Sequence, residues 1–464
     1  MKLNNIEKIS FGLGGGVNAI KTDFFVFYLG VYYLTIIGLN PLLTGFALFI
    51  ALIFDAITDP LIGAFSDRLK TKYGRRHLLM ALSLIPISLS YILLFIPDSS
   101  WAQDEFKLFL WLLCFTILTR FSVTLFDIPH RALAAEIPDT YEDKAKIMSL
   151  REGFQSLIAL SHSFIILPLL NFNPDSSSWL NVGFIGAFLM FFFGIMSIIG
   201  TKNLIPSLRT WSEDPNFINN SRWNKLSTEL SFVFRNKTLL IFLVGSVFIQ
   251  IAWGLANSLT LLTNTHFWGL ETVQLQQFIT VYFCSTIFSW LITPKLVEIF
   301  DKKNIVIFSL ITIGIFQSLP FLLFKLGLTP PQGSQDLIIF LSIPLFLTGT
   351  FSLVSLMTRE AMVPDVIDAI HLESNMRQDA TISSLTSFCA KCMTGFGQFF
   401  SGFILWLIAF PKADDEPTLM QEEFLAFFQG PTIFILFLIP IFIFSYYPIT
   451  RKQHREIKEG LENS

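Results

Sequence analysis

Pro41-Leu-Leu-Thr-Gly-Phe-Ala-Leu-Phe-Ile50-Ala-Leu-Ile-Phe-Asp55-Ala-Ile-Thr-Asp59-Pro60-Leu-Ile-Gly-Ala-Phe65 is an apolar run long enough to cross a bilayer, and two carboxylates sit in its middle. Asp55 and Asp59 are four residues apart, so on a helix they lie one turn above the other on one face, with Thr58 beside them. A charged side chain at mid-membrane costs about 3 kcal/mol on insertion scales. Two like charges in contact add repulsion, which a bound cation or a shared proton relieves. The pair is therefore expected to hold a metal cation or a proton inside a membrane. The plainer alternative is a carboxylate pair tied to neighbouring basic side chains to fix helix registry.

Composition agrees with a membrane setting. Of 464 residues, 52% are hydrophobic, only 14% are charged and 52 are Phe. Mean hydropathy is +0.59. A soluble chain carries about a quarter charged residues, so this is read as a polytopic membrane protein. The first apolar segment exceeds signal-peptide length and carries Lys21 and Asp23, so no cleavable leader is expected. Four scattered cysteines make no disulfide framework, and Cys389 and Cys392 read as small apolar packers. No Gly-rich phosphate loop, His-Glu-x-x-His or nucleophile elbow appears, which leaves an enzyme reading without support.

Apolar stretches predict twelve spans, near 12–36, 42–66, 77–96, 107–134, 147–172, 179–201, 238–262, 274–294, 304–324, 336–358, 381–409 and 429–448. The expected fold class is all-α, two six-helix bundles. The first bundle covers residues 1–201 and the second 238–450, with a cytoplasmic linker over 202–237 and a basic tail over 451–464. With the amino end inside, cytoplasmic segments hold 24 of the 32 Lys and Arg, external loops hold Lys107, Lys325 and Lys412, and spans hold Lys21, Arg120, Arg131, Arg151 and Lys391. That asymmetry puts both ends in the cytoplasm, with a bacterial-type inner membrane expected. The tail, with Arg451, Lys452, Arg455 and Lys458, reads as a solvated anchor at an anionic leaflet.

An internal echo points to two related halves. Gly63-Ala-Phe-Ser-Asp67-Arg68 with Gly74-Arg75-Arg76 follows the second span, and Lys295-Leu-Val-Glu-Ile-Phe-Asp301-Lys302-Lys303 follows the eighth. In such a loop the Asp caps a neighbouring helix and the Arg pair holds the cytoplasmic face, a gate element. In the fourth span Arg120, Thr124, Asp127 and Arg131 fall on one helix face among Leu, Phe and Val, so that stripe must face protein or a wet cavity. If the second and fourth helices are neighbours, Asp55, Thr58, Asp59 and Thr124 offer four or more oxygens to one ion. Sodium suits hard oxygen ligands, and a proton needs only one carboxylate, so both stay open. Lys391 stands alone in its span, open to an ion pair or to a solute; Arg151 is open to snorkelling, and His130 reads as a packed neutral imidazole.

These residues resemble the major facilitator superfamily and, within it, the glycoside-pentoside-hexuronide:cation symporters. The likeness rests on Gly12-Leu-Gly, Asp55-Ala-Ile-Thr-Asp59-Pro60-Leu-Ile-Gly63, Asp67-Arg68 with Gly74-Arg75-Arg76, and Asp127-Ile-Pro129-His-Arg-Ala132-Leu133-Ala-Ala-Glu136. Arg151, Pro364-Asp365-Val-Ile-Asp368 and Lys391 extend it to nearly the whole chain. It implies a cation site at Asp55, Thr58, Asp59 and Thr124, with Asp127 near both cation and solute. It also implies Arg151 and Lys391 at the solute cavity, and Asp365 and Asp368 in a cytoplasmic gate with Asp67, Arg68, Arg75 and Arg76.

The sequence departs from that pattern at the solute side. The family's sugar-contacting acid aligns with Ala19 and its basic neighbour with Asn18; Asp23, one turn on, is the expected stand-in. Arg131 replaces an aromatic sugar-stacking position. Within the spans five basic residues face four aspartates (Asp23, Asp55, Asp59, Asp127), so the solute is expected to be anionic, a hexuronide or charged glycoside. The function expected is cation-coupled uptake by alternating access, without cofactor beyond the sodium ion or proton. Expected partners are a small sugar-like solute and membrane lipid, with no nucleic acid and a monomeric chain. A lysolipid:sodium symporter is the transport alternative, and a membrane-embedded receptor or enzyme the alternative of another class.

Overall fold

Apolar stretches become helices here, even with Pro or Gly inside them, because in lipid each backbone N–H and C=O must find its partner within the segment or a neighbour. The computed structural model describes residues 4–69, 71, 73–98, 101, 104–136, 141–170, 176–207, 236–374, 379–412 and 415–462. Two compact units emerge, Met1–Glu213 with Gln398–Pro417, and Asp214–Gly397 with Thr418–Ser464.

The first unit is built from α1 (Asn5–Phe27), the short α2 (Leu29–Val31), a π-helical turn (Tyr32–Ile36), α3 (Pro41–Arg68), α4 (Arg75–Leu93), α5 (Glu105–Glu136), α6 (Tyr141–Leu170) and α7 (Ser176–Thr201), with a 3₁₀ turn at Lys202–Ser207. Helix α1 packs on α6 and α7, α4 on α5 and α7, and α3 on α5. Asn40 caps α3 by accepting from the Leu42 N–H at 3.0 Å, and Pro41, which has no N–H to lose, opens the helix. The remaining elements are α8 (Lys237–Leu262), a second π turn (Thr263–Phe267), α9 (Thr272–Ile299), α10 (Lys302–Lys325), α11 (Gln335–Ser374), α12 (Asp379–Leu407), α13 (Leu419–Gln429), α14 (Pro431–Ser445) and α15 (Arg451–Glu462). They form the second unit, apart from the last turns of α12, which fall in the first. Inside that first unit Gly402 lies so close to α3 that a Cβ would sit 2.4 Å from the Pro41 carbonyl oxygen.

The two units repeat one plan. Helices α3 and α9 are both 28 residues long, and a shift of 231 carries Pro41 onto Thr272 and Arg68 onto Ile299. The same shift carries the π turn Tyr32–Ile36 onto Thr263–Phe267, and Gly38 (φ 76°) onto Gly269 (φ 62°). Both glycines adopt left-handed backbone to turn the chain into the next helix. Packing repeats as well: α8 meets α14, α9 meets α11, and α10 meets α11 and α14. The shift puts Asp67 on Glu298, three residues before the Asp301 that the sequence echo pairs with it.

Nine helices among the described residues are long and apolar enough to cross a membrane, or ten if Asn5–Phe27 and Leu29–Ile36, bent by 45°, form one span. The expected fifth and eleventh spans are the helices Tyr141–Leu170 and Asp379–Leu407; their charged and polar residues keep them out of that count. The last span begins earlier than expected, at Leu419 rather than 429, because α13 and α14 run on from the acidic loop. Of the linker expected over 202–237, residues 208–235 lie outside the described residues.

Candidate functional site

Packing of α3 on α5 brings the fourth-span stripe to the carboxylate pair. The Thr124 hydroxyl lies 2.9 Å from Asp55 Oδ1 and 3.2 Å from Asp59 Oδ1, so one hydroxyl bridges both acids. One turn earlier, an Arg120 guanidinium nitrogen stands 3.5 Å from Asp55 Oδ2, with that guanidinium 5.0 Å from the Phe25 ring centre. Asp55, Thr58, Arg120 and Thr124 are buried, while Asp59 is half-buried. The Thr58 hydroxyl donates to the Phe54 carbonyl at 2.9 Å, which leaves its oxygen lone pairs for another partner. Pro60 has no N–H, so the Ala56 carbonyl loses its usual helical donor. The registry alternative is thus partly realised, since Arg120 balances one acid. The trio of Asp55, Asp59 and Arg120 keeps a formal charge of about −1, which one monovalent cation or one proton cancels. Among the described residues no three or more His, Cys, Asp or Glu are arranged to hold a metal ion by themselves, so the donor set here is two carboxylates and hydroxyls.

A second buried group forms beside it. Asp127 pairs through one oxygen with Arg131 Nε at 2.8 Å and through the other with Arg151. The Arg151 side chain is wholly buried and is also bound by Glu152 at 2.5 Å, which corrects the snorkelling alternative. Arg151 Nε donates to His130 Nδ1 at 3.4 Å, so His130 Nε2 carries the hydrogen and donates to the Phe11 carbonyl at 3.0 Å. His130 is therefore the neutral, packed imidazole expected, stacked on Phe11 at 4.4 Å. Asp127 sits in this arginine group, separate from the Thr124-bridged acids. Arg131 is its open member, 46% exposed, and Asp59 also acts on it electrostatically.

Asp23, expected at the solute, faces α6 instead. Its Oδ2 lies 2.7 Å from His162 Nδ1, and Ser163 Oγ is 2.9 and 3.0 Å from its two oxygens. His162 was overlooked in the sequence; Ser161-His162-Ser163 in mid-span was the available signal.

At the candidate gate, Arg76 pairs with Asp67 at 2.5 Å and donates to Ser66 Oγ at 2.8 Å, while Arg75 reaches the Asp67 carbonyl at 3.5 Å. The expected helix cap is corrected: Gly74 occupies the N-cap of α4, and Asp67 spends its carboxylate on Arg76. The Arg68 side chain lies outside the described residues. In the second unit Lys302 Nζ holds both oxygens of Asp365 at 2.8 and 2.7 Å. His454 Nε2 lies 3.3 Å from Asp365 and 3.5 Å from Asp368. The tail forms a helix, α15, that packs against α11 while Arg451, Lys452, Arg455 and Lys458 stay exposed, with Asp301 accepting from the Arg451 N–H at 3.0 Å. Lys391 is half-buried in α12. Arg359 was passed over because it lies one residue beyond the expected tenth span; it is buried, with Nε lacking a hydrogen-bond partner.

The sequence matches the MFS/sugar transport protein family over residues 10–451. The chain belongs to that family. It is similar to the putative glycoside/cation symporter YagG of Escherichia coli, 22% identical over 95% of this chain and 89% of that one. Two further likenesses are shorter. An uncharacterized symporter of Synechocystis sp. is 32% identical over 33% of this chain and 29% of its own length. The sodium-dependent lysophosphatidylcholine symporter 1 of Gallus gallus is 31% identical over 28% of this chain and 24% of its own. In fold the chain resembles the nucleoside transporter NupG (TM-score 0.65, 14% identity, 96% of this chain and all of that one). The chain is a multi-pass membrane transporter of the glycoside-pentoside-hexuronide:cation symporter kind, not an enzyme.

Proposed function

We propose that the chain takes up an anionic, sugar-like solute, a hexuronide or charged glycoside, together with one monovalent cation that binds at Asp55, Thr58, Asp59 and Thr124. The observation that carries this reading is the single Thr124 hydroxyl within 2.9 and 3.2 Å of two acids, one of them paired with Arg120. A cation there removes the remaining repulsion and ties α3 to α5. Two carboxylates with two hydroxyls favour sodium over a proton. Arg131, half-exposed beside the buried Asp127 group, is the basic side chain we assign to the solute. The solute is moved by alternating access of two bundles, with both termini cytoplasmic. Coupling requires cation and solute to strengthen each other's binding reciprocally, by about 1–3 kcal/mol.

A lysolipid solute is the second reading, because the likeness to the Gallus gallus symporter reaches 31% over 134 residues. Thermal unfolding of the purified protein with glycosides, uronides and lysophospholipids, each with sodium or with choline, tests both. Stabilisation by a uronide that needs sodium supports the first reading; stabilisation by a lysophospholipid alone overturns it. Equal effects in sodium and choline at each pH would remove the sodium assignment.

A further inference from the structure

We propose that Asp23 and His162 form a proton-binding site inside the first unit, distinct from the Asp55–Asp59 cluster. It does not rest on the symport reading, because it follows from the dyad's own geometry and is tested without solute or sodium.

The carboxylate and the imidazole stand 2.7 Å apart, Asp23 8% and His162 1% exposed. A carboxylate needs hydrogen from Nδ1, so the neutral imidazole is the Nδ1–H form, and its Nε2 is then a bare acceptor. Nε2 is buried and has no hydrogen-bond partner. Adding a proton there turns Asp23 and His162 from a net charge of about −1 into a neutral carboxylate–imidazolium pair. The carboxylate is kept in place by Ser163, whose hydroxyl reaches both oxygens, and Tyr28 hydrogen-bonds Ser163 at 3.4 Å.

The surroundings supply no rival for this proton. On α1 the nearby groups are Tyr28 and the buried Lys21; on α4 there is Tyr91, which feels the Asp23 charge and whose buried hydroxyl has no partner. From α5, Arg120 lies over Phe25 and is held by Asp55. Helix α7 carries no ionisable residue. The dyad is also absent from the repeat: the 231-residue shift in numbering that matches the bounds of α3 to those of α9 puts Gly254 at the place of Asp23.

The test uses the full chain, purified in choline chloride without sodium, with its histidines labelled in the imidazole ring. As the pH is lowered across the range in which the protein stays folded, the ring signal that vanishes in His162→Gln is expected to shift in the wild type and to shift differently in Asp23→Asn. Over the same range the wild type should release about one proton more than His162→Gln. Ser163→Ala keeps both partners and serves if either variant does not fold; it should displace the titration midpoint of that same signal. A His162 signal that stays constant across this range, or equal proton release by wild type and His162→Gln, overturns the proposal.

Discussion

Asp55→Asn removes one carboxylate charge while keeping the side chain's size and a carbonyl oxygen. In the native cluster Asp55 meets Thr124 at 2.9 Å and Arg120 at 3.5 Å. The trio's formal charge then moves from about −1 to 0, so an incoming cation loses one attractive unit charge. At about 4 Å and an effective dielectric of about 20 that attraction is worth about 4 kcal/mol, or about a thousandfold in affinity. At sodium a hundred times the dissociation constant, native stabilisation is about 2.7 kcal/mol; a thousandfold weaker site leaves less than about 0.1 kcal/mol. Thermal unfolding of the purified variant in sodium against choline chloride should therefore show the sodium shift abolished. Asp55→Asn should also lower the melting point in choline, since buried Arg120 loses its carboxylate, a loss of about 3–5 kcal/mol in soluble proteins. The double variant Asp55→Asn with Arg120→Gln restores a net charge near −1 through Asp59 and should regain part of the sodium shift. A sodium shift retained in Asp55→Asn, or no recovery in the double variant, would refute the charge argument.

Arg131→Gln should weaken binding of an anionic solute about tenfold or more while sparing neutral glycosides, read by uptake into proteoliposomes; equal effects on both would remove the anion assignment. Gly402→Leu drives a Cβ to within 2.4 Å of the Pro41 carbonyl and should prevent stable folding, whereas Gly153→Ala, with nothing within 4 Å, should raise helix stability by up to about 1 kcal/mol in thermal unfolding. Lys302→Met leaves the buried Asp365 short of its main partner and should cost about 1–3 kcal/mol. Lys452→Met, which breaks an exposed pair 3.9 Å long, should change the melting point by nothing measurable.

The helices and the carboxylate cluster were legible because their signals are local. Apolar run length marks a span, and the four-residue spacing of Asp55 and Asp59 and the spacing of Arg120, Thr124 and Asp127 along α5 set shared faces. Partner choice was not local. Nothing in the spacing tells that Arg151 points wholly inward to Asp127, or that Asp23 turns to α6 rather than to a solute; both depend on which helix packs alongside. The tail's contact with α11 is of the same kind: its four basic residues dominate the pattern and stay exposed, while the packing of α15 on α11 depends on the fold. The cap was misassigned because Asp67 can cap α4 or bind Arg76, and the side-chain pair won while Gly74 took the cap position.

The internal repeat gives the strongest reason to treat the buried acids as functional. Helices α3 and α9 have the same length, the same preceding π turn and left-handed glycine, and the same packing partner in their own unit. At the places of Asp55, Thr58 and Asp59 the second unit has Thr286, Ser289 and Trp290. Ser289 Oγ there lies 2.7 Å from the Ser285 carbonyl of its own helix and 2.9 Å from the Thr350 carbonyl of α11, so one uncharged hydroxyl is shared across the α9–α11 contact. A neutral hydroxyl therefore suffices for the registry that the plainer alternative would assign to the carboxylates. Keeping two acids and an arginine in α3 and α5 costs desolvation that the other copy of the plan avoids. That cost is explained if the charge is needed for an ion that the second unit does not hold.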